Sequence, residues 1–218
     1  MSIPKVIHYC WFGNNKKPEL IEKCIDSWKK YCPDYEIVEW NEDNFDVNFC
    51  PYAHKAYSQK RYGFLSDVAR LQIIYNNGGI YLDTDVELKR NIDELCDNVA
   101  WFAYGPNTEI NTGCGFGAEK NNWLVKKMLD QYISFNEDKT FELCTSLDTK
   151  IFKKYYKDYA ADHDVEQVYK GIRIINNIWH YSVHHYTGTW RTRSQKIYTV
   201  IMRILRKTLL KVRNGERK

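Results

Sequence analysis

Gly78-Gly79-Ile80-Tyr81-Leu82-Asp83-Thr84-Asp85 is the stretch that decides how this chain folds. A glycine pair opens a short apolar run, and the run closes on two carboxylates, so the segment reads as a strand with a polar end. Side chains alternate along a strand, which sends Asp83 and Asp85 to one face. Two anions side by side repel unless a divalent cation or a shared proton stabilises them, and hard cations prefer such oxygen ligands. At ~4 Å and an effective dielectric of ~20, a unit-charge pair is worth about 4 kcal/mol, so Mn²⁺ or Mg²⁺ held here would hold and neutralise a diphosphate. Two solvated acids at a strand end are the plain alternative, and the surrounding sequence has to decide.

Upstream, Phe64, Leu65, Val68, Leu71, Ile74 and Tyr75 recur at helical spacing. Asp67 and Arg70 stand three residues apart, hence on one helical face, and Asn76-Asn77-Gly78-Gly79 supplies the stop and the turn into the strand. Working outward, residues 4–12 read as a first strand. Pro18 opens a helix to residue 31 with Leu20, Cys24, Ile25 and Trp28 on its apolar face. Residues 35–40 and 99–104 read as strands, and 51–61, 122–135 and 141–159 as helices. Alternating strands and helices point to an α/β sheet layered by helices. Asn111-Thr112-Gly113-Cys114-Gly115-Phe116-Gly117 is glycine-rich but lacks the Lys and Ser/Thr of a phosphate loop, so it reads as a strand and turn.

Ser66-Asp67-Val68-Ala69-Arg70, followed by Gly78 through Asp85, resembles the sugar-nucleotide core of glycosyltransferase family 32, which includes bacterial capsule and lipopolysaccharide transferases and yeast α-1,6-mannosyltransferases. The same spacing is similar to that of the glucosyltransferase domains of large clostridial toxins. Ile3-Pro4-Lys5-Val6-Ile7-His8-Tyr9-Cys10-Trp11-Phe12-Gly13 resembles the family's first strand and nucleotide loop, and His184-His185-Tyr186-Thr187-Gly188-Thr189-Trp190 its C-terminal close, with Thr189 in place of the usual Ser. The likeness covers about residues 3–190, and 119–178 adds little to it. It implies a GT-A fold, a Rossmann-like mixed sheet flanked by helices, as a catalytic domain over residues 1–190. The implied activity is metal-dependent, retaining transfer from a nucleotide sugar, a UDP-sugar before GDP-mannose, to a saccharide or lipid-linked saccharide in surface polysaccharide synthesis.

The resemblance also implies roles. Asp67, Arg70, Asp83 and Asp85 form the catalytic set, and Ile7, Trp11, Asp67, Arg70, Tyr81, Asp83, Thr84 and Asn111 the donor-binding set. Trp11 would stack on the base, an interaction worth about 1–3 kcal/mol, against the plainer reading of a core tryptophan. Asp67 would accept hydrogen bonds from donor hydroxyls and Arg70 would bind the sugar or diphosphate; a helix-face ion pair is their alternative. Asp85 would ligate the metal directly and Asp83 through ribose or a metal-bound water. His185, three residues before Gly188, is the expected third ligand, with His184 the neighbouring choice. His180 and His184 stand four apart, but no Glu sits beside them as in a zinc His-Glu-x-x-His.

Two rivals remain. Leu82-Asp83-Thr84-Asp85-Val86 also fits the nucleophile loop of haloacid-dehalogenase-like phosphatases, although no convincing downstream Lys and second acidic motif follow. A non-catalytic, membrane-docked binding protein is the other. Seven cysteines, an odd count without a Cys-x-x-Cys pair, suit reduced thiols. With no evident signal peptide and no stretch of about 20 apolar residues, the expected location is cytoplasmic, peripheral to the inner face of the cell membrane. The net charge of +4 is divided unevenly. Residues 191–218 hold ten Lys/Arg against Glu216, a net +9, leaving 22 basic and 27 acidic residues, a net −5, in the first 190. That tail reads as a basic amphipathic helix, with Ile197, Val200, Ile201, Ile204 and Leu205 opposite Lys196, Arg203 and Lys207. An anionic membrane surface is its candidate partner through 194–213, and nucleic acid is not.

Overall fold

Apolar residues on nearly every side of one helix, and a glycine pair behind it, set the centre of the molecule. The computed structural model describes residues 3–105, 109–136, 138, 140–155, 166–176 and 178–188. Residues 1–185 form one unit and 186–218 another. The expected tail helix over 191–218, its stretch 194–213, and Thr189 and Trp190 lie outside the described residues.

In the first unit, β1 (Val6–Cys10), α1 (Glu19–Tyr31), β2 (Glu36–Trp40), α2 (Pro51–Ser58), α3 (Tyr62–Asn77), β3 (Gly79–Tyr81) and β4 (Val86–Leu88) come first. They are followed by β5 (Ala100–Ala103), β6 (Phe116–Ala118), α4 (Trp123–Ile133), α5 (Cys144–Tyr155), β7 (Gln167–Tyr169), β8 (Ile172–Ile175) and β9 (Ser182–His184). The main sheet has the order β2-β1-β3-β6-β5-β8-β7, and β4 pairs with β9 in a second, two-stranded sheet. β1 runs parallel to β2 and β3, whereas β6 is antiparallel to both β3 and β5, so the sheet is mixed.

Alternation along the strands feeds two cores, one on each face. Tyr81, Phe102 and Phe116 join Leu65, Val68 and Leu71 of α3, Leu124 and Met128 of α4 and Phe152 of α5. Ile80, Trp101 and Ala103 point the other way, into a cluster with Ile21, Ile25 and Trp28 of α1. Each fully buried aliphatic or aromatic side chain contributes about 1.5–3 kcal/mol, which is why α3, buried on most of its circumference, holds its place under the sheet. On α1 the buried positions are Ile21, Cys24, Ile25, Ser27 and Trp28. Leu20, expected on that face, is only half-buried, because a helix starting at Glu19 turns Ile21 inward instead.

The Asn-Asn-Gly-Gly segment does what its composition dictates. Gly78 caps α3 with φ +72°, donating its N–H to Ile74 O at 2.8 Å. Gly79 opens β3 at φ +99°, and a Cβ there would meet Val6 O at 2.8 Å and His8 Nε2 at 2.9 Å, so any side chain would pry β3 from β1.

One expectation about local geometry is corrected. β3 ends at Tyr81, and Asp83 and Asp85 do not ride a strand. They belong to a turn closed by Val86 N–H donating to Asp83 O at 2.9 Å. The far side of that turn is tied down by Trp28, whose Nε1 donates to Val86 O at 2.7 Å, and by Leu88 N donating to Ser27 Oγ at 2.9 Å. The acids are neighbours because the chain reverses between them, not because strand side chains alternate.

Candidate active site

Four pieces of chain converge on this turn. α3 brings Asp67 and Arg70, β3 leads into Asp83 and Asp85, the 111–114 turn comes in ahead of β6, and β9 brings His184, whose register partner is Val86. Arg70 is only 3% exposed. Its Nη2 pairs with Asp67 Oδ1 and lies 3.5 Å from Asp83 Oδ1. Its Nε donates to Ser66 O at 3.1 Å and its Nη1 to Thr112 Oγ1 at 3.4 Å. The guanidinium carbon stands 5.1 Å from the centre of the Tyr81 ring, a cation–π geometry. Arg70 is thus oriented by two carboxylates, a backbone carbonyl, a hydroxyl and an aromatic ring.

Asp83, Asp85 and His184 each offer a ligand atom, all within 4.8 Å of one another. His184 Nε2 sits 3.0 Å from Asp85 Oδ1, and its Nδ1 is 3.3 Å from Cys114 Sγ. His185 goes elsewhere: its Nε2 is 2.9 Å from Glu87 Oε2, which also pairs with Lys23 at 3.3 Å. Adjacent residues at the end of β9 face opposite ways, so the structure brings His184 to the two acids and leaves His185, the expected third ligand, on the outer side. His180 contacts Arg90.

Electrostatics follow from burial. Burial pushes Asp67 up to about 6 although Arg70 pulls it down, and burial also raises Asp83 against the opposing pull of Arg70 and His184. Burial works against a charged His184, yet its hydrogen bonds to Asp85 and then Cys114 lift it to about 10. The same Asp85–His184 pair can therefore hold a proton or, in its place, a cation. Asp67, Asp83 and Asp85 against Arg70 leave a net −2 when His184 is neutral, a charge one divalent ion offsets. Backbone packs close by: a Cβ on Gly113 would stand 2.5 Å from Asp83 Oδ2. Two carboxylates and an imidazole around a space kept open by a missing side chain fit a divalent metal.

The remaining expected residues are placed as follows. Thr84 forms the half-buried corner of the turn. Asn111 closes its own loop, its Oδ1 accepting from Gly113 N at 2.9 Å. Tyr81 is 1% exposed, with its ring against the Arg70 guanidinium. Trp11 follows β1 half-buried, donating from Nε1 to Asn15 O at 2.7 Å, with Lys17 Nζ 5.7 Å over its ring. Ile7 is 0% exposed and paired on both sides, with Ile37 and Ile80. The glycine-rich reading located the 111–117 segment but missed the part played by Thr112, and nothing local marked Asp148 of α5, whose Oδ2 accepts from the Thr112 hydroxyl at 2.8 Å.

Residues 18–101 match the family model described as a glycosyltransferase sugar-binding region containing a DXD motif. Inositol phosphoceramide mannosyltransferase 3 of Schizosaccharomyces pombe is 36% identical over 107 residues, covering 46% of this chain and 29% of that protein. Inositol phosphoceramide mannosyltransferase 1 of the same yeast is 29% identical over 119 residues, covering 50% and 35%. The chain thus spans about a third of the length of these relatives. An uncharacterized glycosyltransferase of Acanthamoeba polyphaga mimivirus is 25% identical over 174 residues, covering 76% of this chain and 69% of the relative. Among solved structures, the PaToxG glycosyltransferase superposes with a TM-score of 0.56 at 21% identity, covering 72% of this chain and 71% of that one. The fold is that of the GT-A glycosyltransferases.

Proposed function

We propose that this protein is a divalent-metal-dependent glycosyltransferase that moves a hexosyl group from a nucleotide sugar to a saccharide or lipid-linked saccharide acceptor, with retention of anomeric configuration. The observation that carries the reading is the cluster of Asp83, Asp85 and His184 donor atoms within 4.8 Å, set beside a buried, fully oriented Arg70. An imidazole among the donors favours Mn²⁺ over Mg²⁺. Once bound, the metal supplies Lewis-acid stabilisation to a departing nucleoside diphosphate. Arg70 adds a fixed positive charge in a site of low dielectric, where it needs no reorganisation as negative charge builds on the leaving group. Asp67 holds Arg70 in place and keeps a carboxylate oriented for donor hydroxyls.

The donor in this reading is a UDP-sugar or GDP-mannose; the names of the yeast relatives speak for a mannosyl group and for a lipid-borne acceptor. Surface polysaccharide synthesis on the cytoplasmic face of a membrane is the setting that such an acceptor and the basic segment 194–213 suggest. Among the described residues no helix is long and apolar enough to cross a membrane. A single assay tests the proposal: UDP- and GDP-sugars are incubated with the protein and Mn²⁺, with and without anionic liposomes and chelator. Chelator-sensitive donor cleavage supports transfer, and sedimentation with the liposomes supports membrane docking. Cleavage of p-nitrophenyl phosphate without donor turnover would put a phosphatase in its place, and inertness to all substrates would leave a binding protein.

A further inference from the structure

Asp148 is the most deeply buried carboxyl among the described residues, at 0% exposure, and the chemistry above makes no use of it. A wholly buried acid is a poor choice for stability alone, and here one oxygen, Oδ1, has no hydrogen-bond partner among the described residues. Its other oxygen accepts from Thr112 Oγ1 at 2.8 Å. A hydroxyl has one proton to give. With that proton committed to Asp148, the Thr112 oxygen can only accept from its other neighbour, which is Arg70 Nη1 at 3.4 Å. The next residue of α5 grips the same loop, Thr149 Oγ1 accepting from Ile110 N at 2.9 Å. Directly after these two anchors comes Gly113, whose missing Cβ would stand 3.0 Å from Arg70 Nη1 and 2.5 Å from Asp83 Oδ2.

We infer that Asp148, acting through the Thr112 hydroxyl, is a positioning residue for Arg70, so that α5 sets the orientation of the guanidinium that meets the donor. The inference rests on the reading of Arg70 as the group that binds the donor's diphosphate. An anchor of this kind fixes the polarity of the hydroxyl as well as its place: a partner at 148 that cannot accept a hydrogen bond frees the Thr112 proton to turn toward Arg70, where it repels a cation.

The test compares the full chain with Thr112→Val, which keeps shape and removes the hydroxyl, with Thr112→Ser, which keeps the hydroxyl, and with Asp148→Leu, which removes the acceptor. Nitrogen NMR of the arginine side chains, assigned for Arg70 by the spectrum of Arg70→Lys, reads the guanidinium directly, and donor cleavage with Mn²⁺ reads its consequence. Restricted Arg70 Nη signals are expected in the wild type, merged signals in Thr112→Val and Asp148→Leu, and recovery in Thr112→Ser. Turnover should fall about tenfold or more in Thr112→Val, in kcat and not in Mn²⁺ affinity. Arg70 signals unchanged in Thr112→Val would overturn the inference, as would altered signals with full turnover. A wild type inert toward every donor, with Arg70 still responding to Thr112→Val, would instead take down the transfer reaction and leave the link from α5 to Arg70 in place.

Discussion

His8 lies on β1 between an indole that can only donate and a carbonyl that can only accept. Trp40 Nε1 donates to His8 Nδ1 at 3.1 Å, and His8 Nε2 lies 3.1 Å from Gly78 O. The proton must therefore sit on Nε2, and the ring is neutral. Burial lowers His8 from 6.5 to about 4, with the Gly78 contact opposing. Between these values the unfolded chain binds more protons than the folded one, so this residue's contribution to stability is present above pH 6.5 and is lost as pH falls toward 4. The gap corresponds to a few kcal/mol at most. Asp148, which burial pushes up to about 7, acts in the opposite sense over part of that range, gaining stability as pH falls. Comparison with a variant isolates His8: denaturant midpoints of His8→Gln at pH 7 and pH 4.5 should show a smaller loss on acidification than the wild type. Equal losses would remove His8 from the account.

At the scale of an element, the 111–114 turn is the most exacting piece of the site. An alanine at Gly113 would bring its methyl within 2.5 Å of Asp83 Oδ2, while the fold around it has no need of a glycine conformation at that position. Gly113→Ala is expected to weaken Mn²⁺ binding about tenfold, or ~1.4 kcal/mol, with little change in melting temperature. Titration calorimetry checks the first and a thermal scan the second, and unaltered Mn²⁺ affinity would count against the cradle. This turn also marks the limit of what the sequence made legible. α3, Gly78-Gly79 and β3 were readable because their signals are local: helical spacing, a cap and a short apolar run. The pairing of Asp83 with Asp85 was right in outcome and wrong in cause, since a short turn and a short strand look alike over three residues. β4, β9 and Asp148 depend on partners far along the chain, 98 positions for Glu87 and His185 and 36 for Thr112 and Asp148. No periodicity records such distances. The choice between His184 and His185 fell in the same gap, because it turns on which face of β9 meets the β3 to β4 turn.

On the scale of the whole molecule, the mixed sheet serves to bring together groups that would repel each other if they met alone. Packing of α1 and α3 on opposite faces fixes the turn from both sides, through Trp28 on Val86 and Arg70 beside Asp83. The hydrophobic contacts thus sustain the cost of concentrating three carboxylates, and the proposed cation would relieve it. Ion binding should accordingly stabilise the fold by mass action. The most direct test of the central claim is the bound fraction of Mn²⁺, read by electron paramagnetic resonance with nucleotide present, in the wild type and in Asp85→Ala, His184→Ala and His185→Ala. Bound Mn²⁺ in the wild type and in His185→Ala, with its loss in Asp85→Ala and His184→Ala, is the predicted result; a wild type that leaves Mn²⁺ free, or a loss confined to His185→Ala, would contradict it.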